Sequence, residues 1–210
     1  MKESGILFTP ENHRLILSGA KVQTRRVIKP QPMTGQIWGD VEESEDYPYE
    51  WFQWFNGGEK SPTFTCPHGI PGNKLYIKEG VIISKAFNPP ALSGYYMDGC
   101  RVEYPEQKRL TAMFMAKRYA RTWMELTDVR VERLQDISAE DALSEGISKT
   151  DFWKPKEVEG RPFEEKWWDD HEFWQRYPQI AYSKLWDSIN KKKYPWENNP
   201  WVWCLSFRKI

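Results

Sequence analysis

"TPENHRLILSGAKVQTRRVIKPQP", residues 9–32, decides the fold. Pro10 suits an early helical position, and Leu15 and Ile16 supply an apolar face. Gly19 provides the stop. "VQTRRVI" then alternates as a strand, and "KPQP" ends it. In such a strand Gln23 and Arg25 share one face, while Val22, Thr24 and Arg26 share the other. Lys21 and Thr24 therefore sit at a helix–strand junction amid the cations Arg25, Arg26 and Lys29. A guanidinium beside a buried sheet face requires a carboxylate or phosphate partner.

Outward from this unit, the chain is rich in short strands. "KLYIKEGVII" after the Pro71-Gly72-Asn73 turn, "SGYYMDG", "ARTWMELTDVRVERL" at 120–134 and "NPWVWCLSFRKI" all read as strands. "DISAEDALSEG" starts a helix with Ser138 as N-cap and Gly146 as stop. In "PQIAYSKLWDSIN", Ile180, Leu185, Trp186 and Ile189 recur at helical spacing. Residues 33–64 lack a period and read as a loop with a short hairpin, and residues 148–176, rich in Trp and Lys/Glu, read as a second insertion. The expectation is an α+β fold, one domain over residues 1–210, with a small curved sheet or barrel.

Thirty basic and thirty acidic side chains cancel over 210 residues, so a polyanion contact has to come from a local patch. Mean hydropathy is −0.76, yet aromatics reach 15% with twelve Trp, which excludes a disordered composition. No apolar run reaches membrane-span length, and "MKESGILFTPENHRL" lacks a secretory apolar region. Three widely spaced cysteines, Cys66, Cys100 and Cys204, argue against a disulfide framework and for a reducing cytoplasm. Cys66 and His68 lack a second ligand pair with zinc-finger spacing, so no metal is expected, and no phosphate loop or dinucleotide fingerprint implies a cofactor.

Two carboxylates stand out. Glu79 shares the apolar face of its strand with Leu75 and Ile77, which makes it either an arginine's partner or a site residue. Glu145 precedes a helix stop, where the helix dipole disfavours a carboxylate. The three histidines, His13, His68 and His171, suggest no Ser–His–Asp or Cys–His arrangement. Trp51, Trp54, Trp153, Trp167, Trp168 and Trp174 lie in the insertions, suited to base stacking or to packing the insertions onto the body.

The stretches "ILSGAKVQTRRVIKPQP", "CPHGIPGNKLYIKE", "LTDVRVERLQDISAEDALSEGI" and "LWDSINKKKYPWENNPWVWCLSFRKI" resemble the phage and prophage branch of the ASCH-domain family, within the PUA-like superfamily. The resemblance implies a small β-barrel with flanking short helices and a cleft for RNA or a nucleoside. Small bacterial members are amidohydrolases that deacetylate N4-acetylcytidine; others are proposed RNA-binding proteins or ribonucleases. The family's lysine, threonine and glutamate correspond to Lys21, Thr24 and Glu145, and its preceding glycine to Gly19. Its "PGD" turn is here Pro71-Gly72-Asn73, without the aspartate.

Chemistry consistent with that set has Lys21, its pKa lowered in a partly apolar cleft, taking the proton of Thr24 as the hydroxyl attacks an amide carbonyl. Glu145 would orient the lysine or protonate the leaving amine, and Arg25 or Arg26 would hold a phosphate or the oxyanion. The leading expectation is nucleic-acid or nucleoside binding through Lys21–Arg26, with Gly19 and Glu79 nearby. RNA or a modified nucleoside is the expected ligand, and DNA a further one. Amidohydrolysis of an N-acylated pyrimidine nucleoside is the alternative. A third reading is a phage accessory protein acting through protein contacts of its Trp-rich insertions.

Overall fold

The structure, a computed structural model, describes residues 2–32, 41–53, 58–147 and 178–210, with the backbone of two short strands at 157–158 and 161–162. In chain order the elements are β1 (Glu3–Leu7), α1 (Pro10–Leu17), β2 (Gln23–Val27), β3 (Val41–Glu43), β4 (Glu50–Gln53), β5 (Phe64–Thr65), β6 (Lys74–Lys78), β7 (Val81–Ser84), β8 (Ala91–Tyr95), β9 (Gln107–Leu110), β10 (Trp123–Arg133), α2 (Ala139–Ser144), β11 (Glu157–Val158), β12 (Arg161–Pro162), α3 (Pro178–Asn190) and β13 (Trp201–Lys209). The chain divides into two compact units, one of Met1–Gly19, His68–Thr127 and Phe207–Ile210, the other of Ala20–Pro67 and Asp128–Ser206.

In the first unit, β1 runs parallel to β6, and the start of β10 pairs antiparallel on the other side of β6. Thr9 caps α1 by accepting from the Asn12 N–H, with Pro10 at the first helical position. The predicted single strand "KLYIKEGVII" divides at Glu79-Gly80 into β6 and β7. β7 is the centre of a three-stranded antiparallel sheet, β8-β7-β9, whose Val81 and Ile83 pack with Met115 and Tyr119.

The second unit pairs β2 antiparallel with β13, matching Thr24 to Leu205 and Arg25 to Cys204. β3, β4 and β5 form a further sheet, in which the hairpin expected within 33–64 is β3-β4. Trp51 of β4 meets Trp203 edge-to-face at 4.9 Å. Leu134, Ile137, Ala142, Tyr182, Trp186 and Val202 make the core between α2, α3 and β13. Each large side chain so buried contributes about 1.5–3 kcal/mol. The face of α3 differs from expectation: Pro178, Ala181, Tyr182 and Trp186 are buried, whereas Ile180 and Ile189 are exposed. Positions 178, 181, 182 and 186 follow the i, i+3, i+4 stripe and 180 lies off it, whereas 189 is on the stripe but in the last turn of the helix, where it is exposed.

The expected small β-barrel is not present. The largest sheet has the open order β1-β6-β10-β13-β2, and the other three are open ladders of two or three strands, so no sheet among the described residues closes on itself. Closure needs the end strands to pair with one another, and β1 and β2 do not. The α+β class holds, with several sheets and short helices. Most of the second expected insertion, 148–176, including Trp153, Trp167, Trp168, Trp174 and His171, lies outside the described residues, as does Trp54. No described helix is long and apolar enough to cross a membrane.

Candidate functional site

The helix stop and the strand start place the first cation. Gly19 takes a φ of +78°, the left-handed conformation that releases the chain from α1. Val22 N–H then donates to the carbonyl of Ser144 at 2.9 Å, docking the junction on the end of α2. α2 is capped by Ser138, which accepts from the Asp141 N–H, and it ends at Glu145. From this junction Lys21 Nζ donates to Glu145 Oε2 at 2.5 Å and to the Glu145 carbonyl at 2.7 Å. Both residues are buried.

Arg25 extends the network. Its Nε donates to Glu132 Oε1 at 2.6 Å and its Nη2 to Asp141 Oδ2 at 2.8 Å. Its Nη1 reaches Gln23 Oε1 at 2.7 Å and Glu145 Oε1 at 3.3 Å. Tyr182 on α3 donates its hydroxyl to Glu145 Oε1 at 3.2 Å. Arg130 bridges Asp128, Glu132 and Asp141 from β10. The guanidinium fork of Arg25 is thus filled by three carboxylates and an amide, an arrangement that a lysine cannot reproduce.

Burial and charge pull against each other here. Burial pushes the Lys21 ammonium below the usual lysine range, opposed by the adjacent Glu145 and reinforced by Arg26 and Arg25. Burial also raises the Tyr182 phenol, and the Glu145 charge adds to it. Asp141 is held below the usual carboxylate range: burial works against this, and the Gln23 hydrogen bond with Arg130 and Arg25 outweighs it. The Cys204 thiol is raised well above its ordinary value, chiefly by burial.

Of the residues singled out in the sequence, Lys21 and Glu145 meet directly and Arg25 joins them through Glu145. Thr24 is buried in β2, on the alternation opposite to Gln23 and Arg25, and forms no side-chain hydrogen bond among the described residues. Arg26 shares its strand and feels the Glu145 charge, though burial dominates and lowers its pKa. Gly19 is exposed and shapes the backbone. Glu79 belongs to a different cluster in the first unit. There its carboxylate takes two hydrogen bonds from Arg121, at 3.0 and 2.9 Å, while Arg121 also binds Asp98. His13 Nδ1 lies 3.7 Å from Glu79 Oε2, and its Nε2 is 3.0 Å from Thr122 Oγ1. An acid–imidazole–hydroxyl alignment therefore exists that the scattered histidines did not suggest, with all three side chains buried.

Gln23, Glu132, Asp141 and Tyr182 are not among the site residues expected from the sequence. Strand alternation held the signal for Gln23, since it shares the Arg25 face. Tyr182 lies on the buried stripe of α3 and was masked by the more apolar isoleucines. Ligand atoms of Glu132, Asp141 and Cys204 lie within 4.8 Å of one another, a donor set of metal-binding type. The two carboxylates are already bound by Arg25 and Arg130, and the thiol is held protonated, so the set as it stands does not fit a cation.

No family model matches the chain, and no curated protein matches it either. Among solved structures, it is similar to a crystal structure of an Enterococcus faecalis V583 protein described by the family model DUF984. Identity is 10%, the alignment covers 100% of this chain and 80% of the other, and the TM-score is 0.40, a level that carries no inference about function.

Proposed function

We propose that this chain is an ASCH-like amidohydrolase acting on an N-acylated pyrimidine nucleoside of the N4-acetylcytidine type. The observation that carries the reading is the buried Lys21–Glu145 contact at 2.5 Å, three residues from Thr24 in the strand that follows the first helix. A lysine whose ammonium is disfavoured by burial is a competent base for a hydroxyl. In the proposed step Lys21, having passed a proton to Glu145, takes the hydroxyl proton as the Thr24 oxygen attacks the acyl carbonyl, and gives it to the exocyclic nitrogen as the C–N bond breaks. Water then cleaves the acyl ester to release the carboxylic acid and restore Thr24. Glu145, held by Arg25 and Tyr182, positions the lysine and stabilises its protonated form.

The phosphate-grip reading of the basic run is less well supported. Arg25 spends its donors on Glu132, Asp141, Glu145 and Gln23, which leaves it committed to carboxylates. A second reading, nucleoside binding without turnover, is favoured by one observation: Lys21 and Glu145 are 2% and 3% exposed, as in a closed structural pair.

The test is incubation of purified protein with N4-acetylcytidine, with cytidine release followed by chromatography. Lys21→Ala, Glu145→Ala and Thr24→Ala are expected to lose at least about a hundredfold in rate, in keeping with removal of a nucleophile or its base. Thr24→Ser should retain turnover. Wild-type binding measured by calorimetry with no cytidine released would favour the second reading; full activity in Lys21→Ala would overturn the site.

A further inference from the structure

α2 places two acids one turn apart. Asp141 lies in its first turn and Glu145 is its C-cap, a spacing of four residues that puts both carboxylates on one side of the helix. Like charges so spaced repel unless a cation stands between them. Arg25 of β2 is that cation: its Nη2 donates to Asp141 Oδ2 at 2.8 Å and its Nη1 to Glu145 Oε1 at 3.3 Å. Glu132 of β10 accepts from its Nε at 2.6 Å. Gln23 braces the arrangement, accepting from Arg25 Nη1 at 2.7 Å and donating to Asp141 Oδ1 at 3.0 Å.

The contacts of Arg25 are unequal. Those to Glu132 and Asp141 are short, whereas the one to Glu145, at 3.3 Å, is longer than an ordinary N–H···O bond. The guanidinium charge is drawn toward the two outer acids and away from Glu145. The proposed hydrolysis requires this bias. Lys21 becomes a base by passing a proton to Glu145, and a guanidinium seated fully on that carboxylate would keep it ionised. The other charged or titratable groups that face Glu145 are Lys21, Arg26 on β2 and the Tyr182 hydroxyl on α3. Around Arg25 stand the Cys204 thiol of β13, held protonated, and Arg130 of β10, which binds Asp128, Glu132 and Asp141. Among the described residues, Lys21, Arg25, Arg26 and Arg130 thus balance Glu145, Glu132, Asp141 and Asp128, and removal of any one charge falls on the rest.

We infer that Glu132 and Asp141 are positioning residues of the proposed hydrolysis: by holding Arg25 off Glu145, they leave that carboxylate able to take the proton of Lys21. This role rests on the amidohydrolase reading and adds to it two residues that act through Arg25.

The experiment pairs two substitutions of opposite sign, Asp141→Asn and Arg130→Gln. In the full chain labelled with carbon-13 glutamate, the Glu145 carboxyl resonance is assigned by its loss in Glu145→Gln and followed by NMR from about pH 5 to pH 9. Asp141→Asn leaves Arg25 to Glu145 and should move the titration of that resonance to lower pH by about one unit. Arg130→Gln returns negative charge to Arg25 and should move it to higher pH. Cytidine release from N4-acetylcytidine by Asp141→Asn should fall about tenfold at pH 7, and the deficit should close toward pH 9, where Lys21 loses its proton to solvent. Glu132→Gln should repeat the Asp141→Asn pattern and replaces it if circular dichroism shows that variant unfolded. A merely structural network would lower the rate alike at every pH and would not give shifts of opposite sign. The role is overturned if the Glu145 resonance titrates unchanged in the variants, if it moves the same way in Asp141→Asn and Arg130→Gln, or if the rate deficit persists to pH 9. Wild-type protein that releases no cytidine, with the opposite shifts present, would overturn the amidohydrolase reading while supporting the hold of Glu132 and Asp141 on the Glu145 proton.

Discussion

Lys21 Nζ donates to both the carboxylate and the backbone carbonyl of Glu145, at 2.5 and 2.7 Å. One cation thus neutralises a buried acid and satisfies a carbonyl at the end of α2. It also resolves the conflict posed by an acid at a helix C-terminus, because the ammonium sits where the dipole favours positive charge.

Removing one member of this pair leaves the other charge buried. Lys21→Met is expected to cost about 3–5 kcal/mol, the range for breaking a buried pair from one side. Lys21→Met/Glu145→Leu should recover part of that loss, because no charge is then stranded. Urea unfolding of both variants checks this, and equal stability of the single variant and the wild type would contradict the described contact.

Arg25→Lys keeps the charge and loses the fork. The three carboxylates Glu132, Asp141 and Glu145 cannot all be reached by one ammonium. An expected loss of about 2–3 kcal/mol, in the range for charged hydrogen bonds left unmade, would appear as a lower denaturation midpoint with an unchanged m-value.

His13 makes stability depend on pH. Burial lowers its pKa; Glu79 and Asp98 oppose the shift, and Arg121 and Arg14 reinforce it. The unfolded imidazole, with a pKa of about 6.5, therefore binds protons that the folded one refuses. Its contribution is present above about pH 6.5 and is lost as pH falls toward the depressed folded value, with a slope of at most about 1.4 kcal/mol per pH unit. Denaturation between pH 5 and 7.5 should show this slope. His13→Gln, which can still bond Thr122, should flatten it.

Thiol reactivity should follow burial. Cys204 is buried and its thiol is raised in pKa, Cys66 is buried, and Cys100 is partly accessible. A disulfide reagent under native conditions should label Cys100 well ahead of the other two, and all three should react in denaturant. Rapid native labelling of Cys204 would show that the strand beside Arg25 opens.

Local signals carried far in this chain. Pro10 and Gly19 delimit α1 as read, Ser138 and Gly146 delimit α2, and alternation delivers β10 and β13 at nearly full length. The junction bearing Lys21 is local too, because a helix stop followed by a strand is written within about fifteen residues. "KLYIKEGVII" misled because Glu79-Gly80 interrupts a run whose alternation continues across the break.

What the sequence by itself determined is the α+β class, the α1–β2 junction with its clustered cations and the places of α2, β10 and β13, since caps, stops and periodicity act between neighbours. Only the tertiary structure decided that the sheets stay open and that Lys21 meets a glutamate 124 residues away. The same holds for Glu79, which serves Arg121 and faces His13. These outcomes depend on which strand pairs with which and on where each buried charge finds its counter-charge. Both are long-range choices, and no short window of sequence contains them.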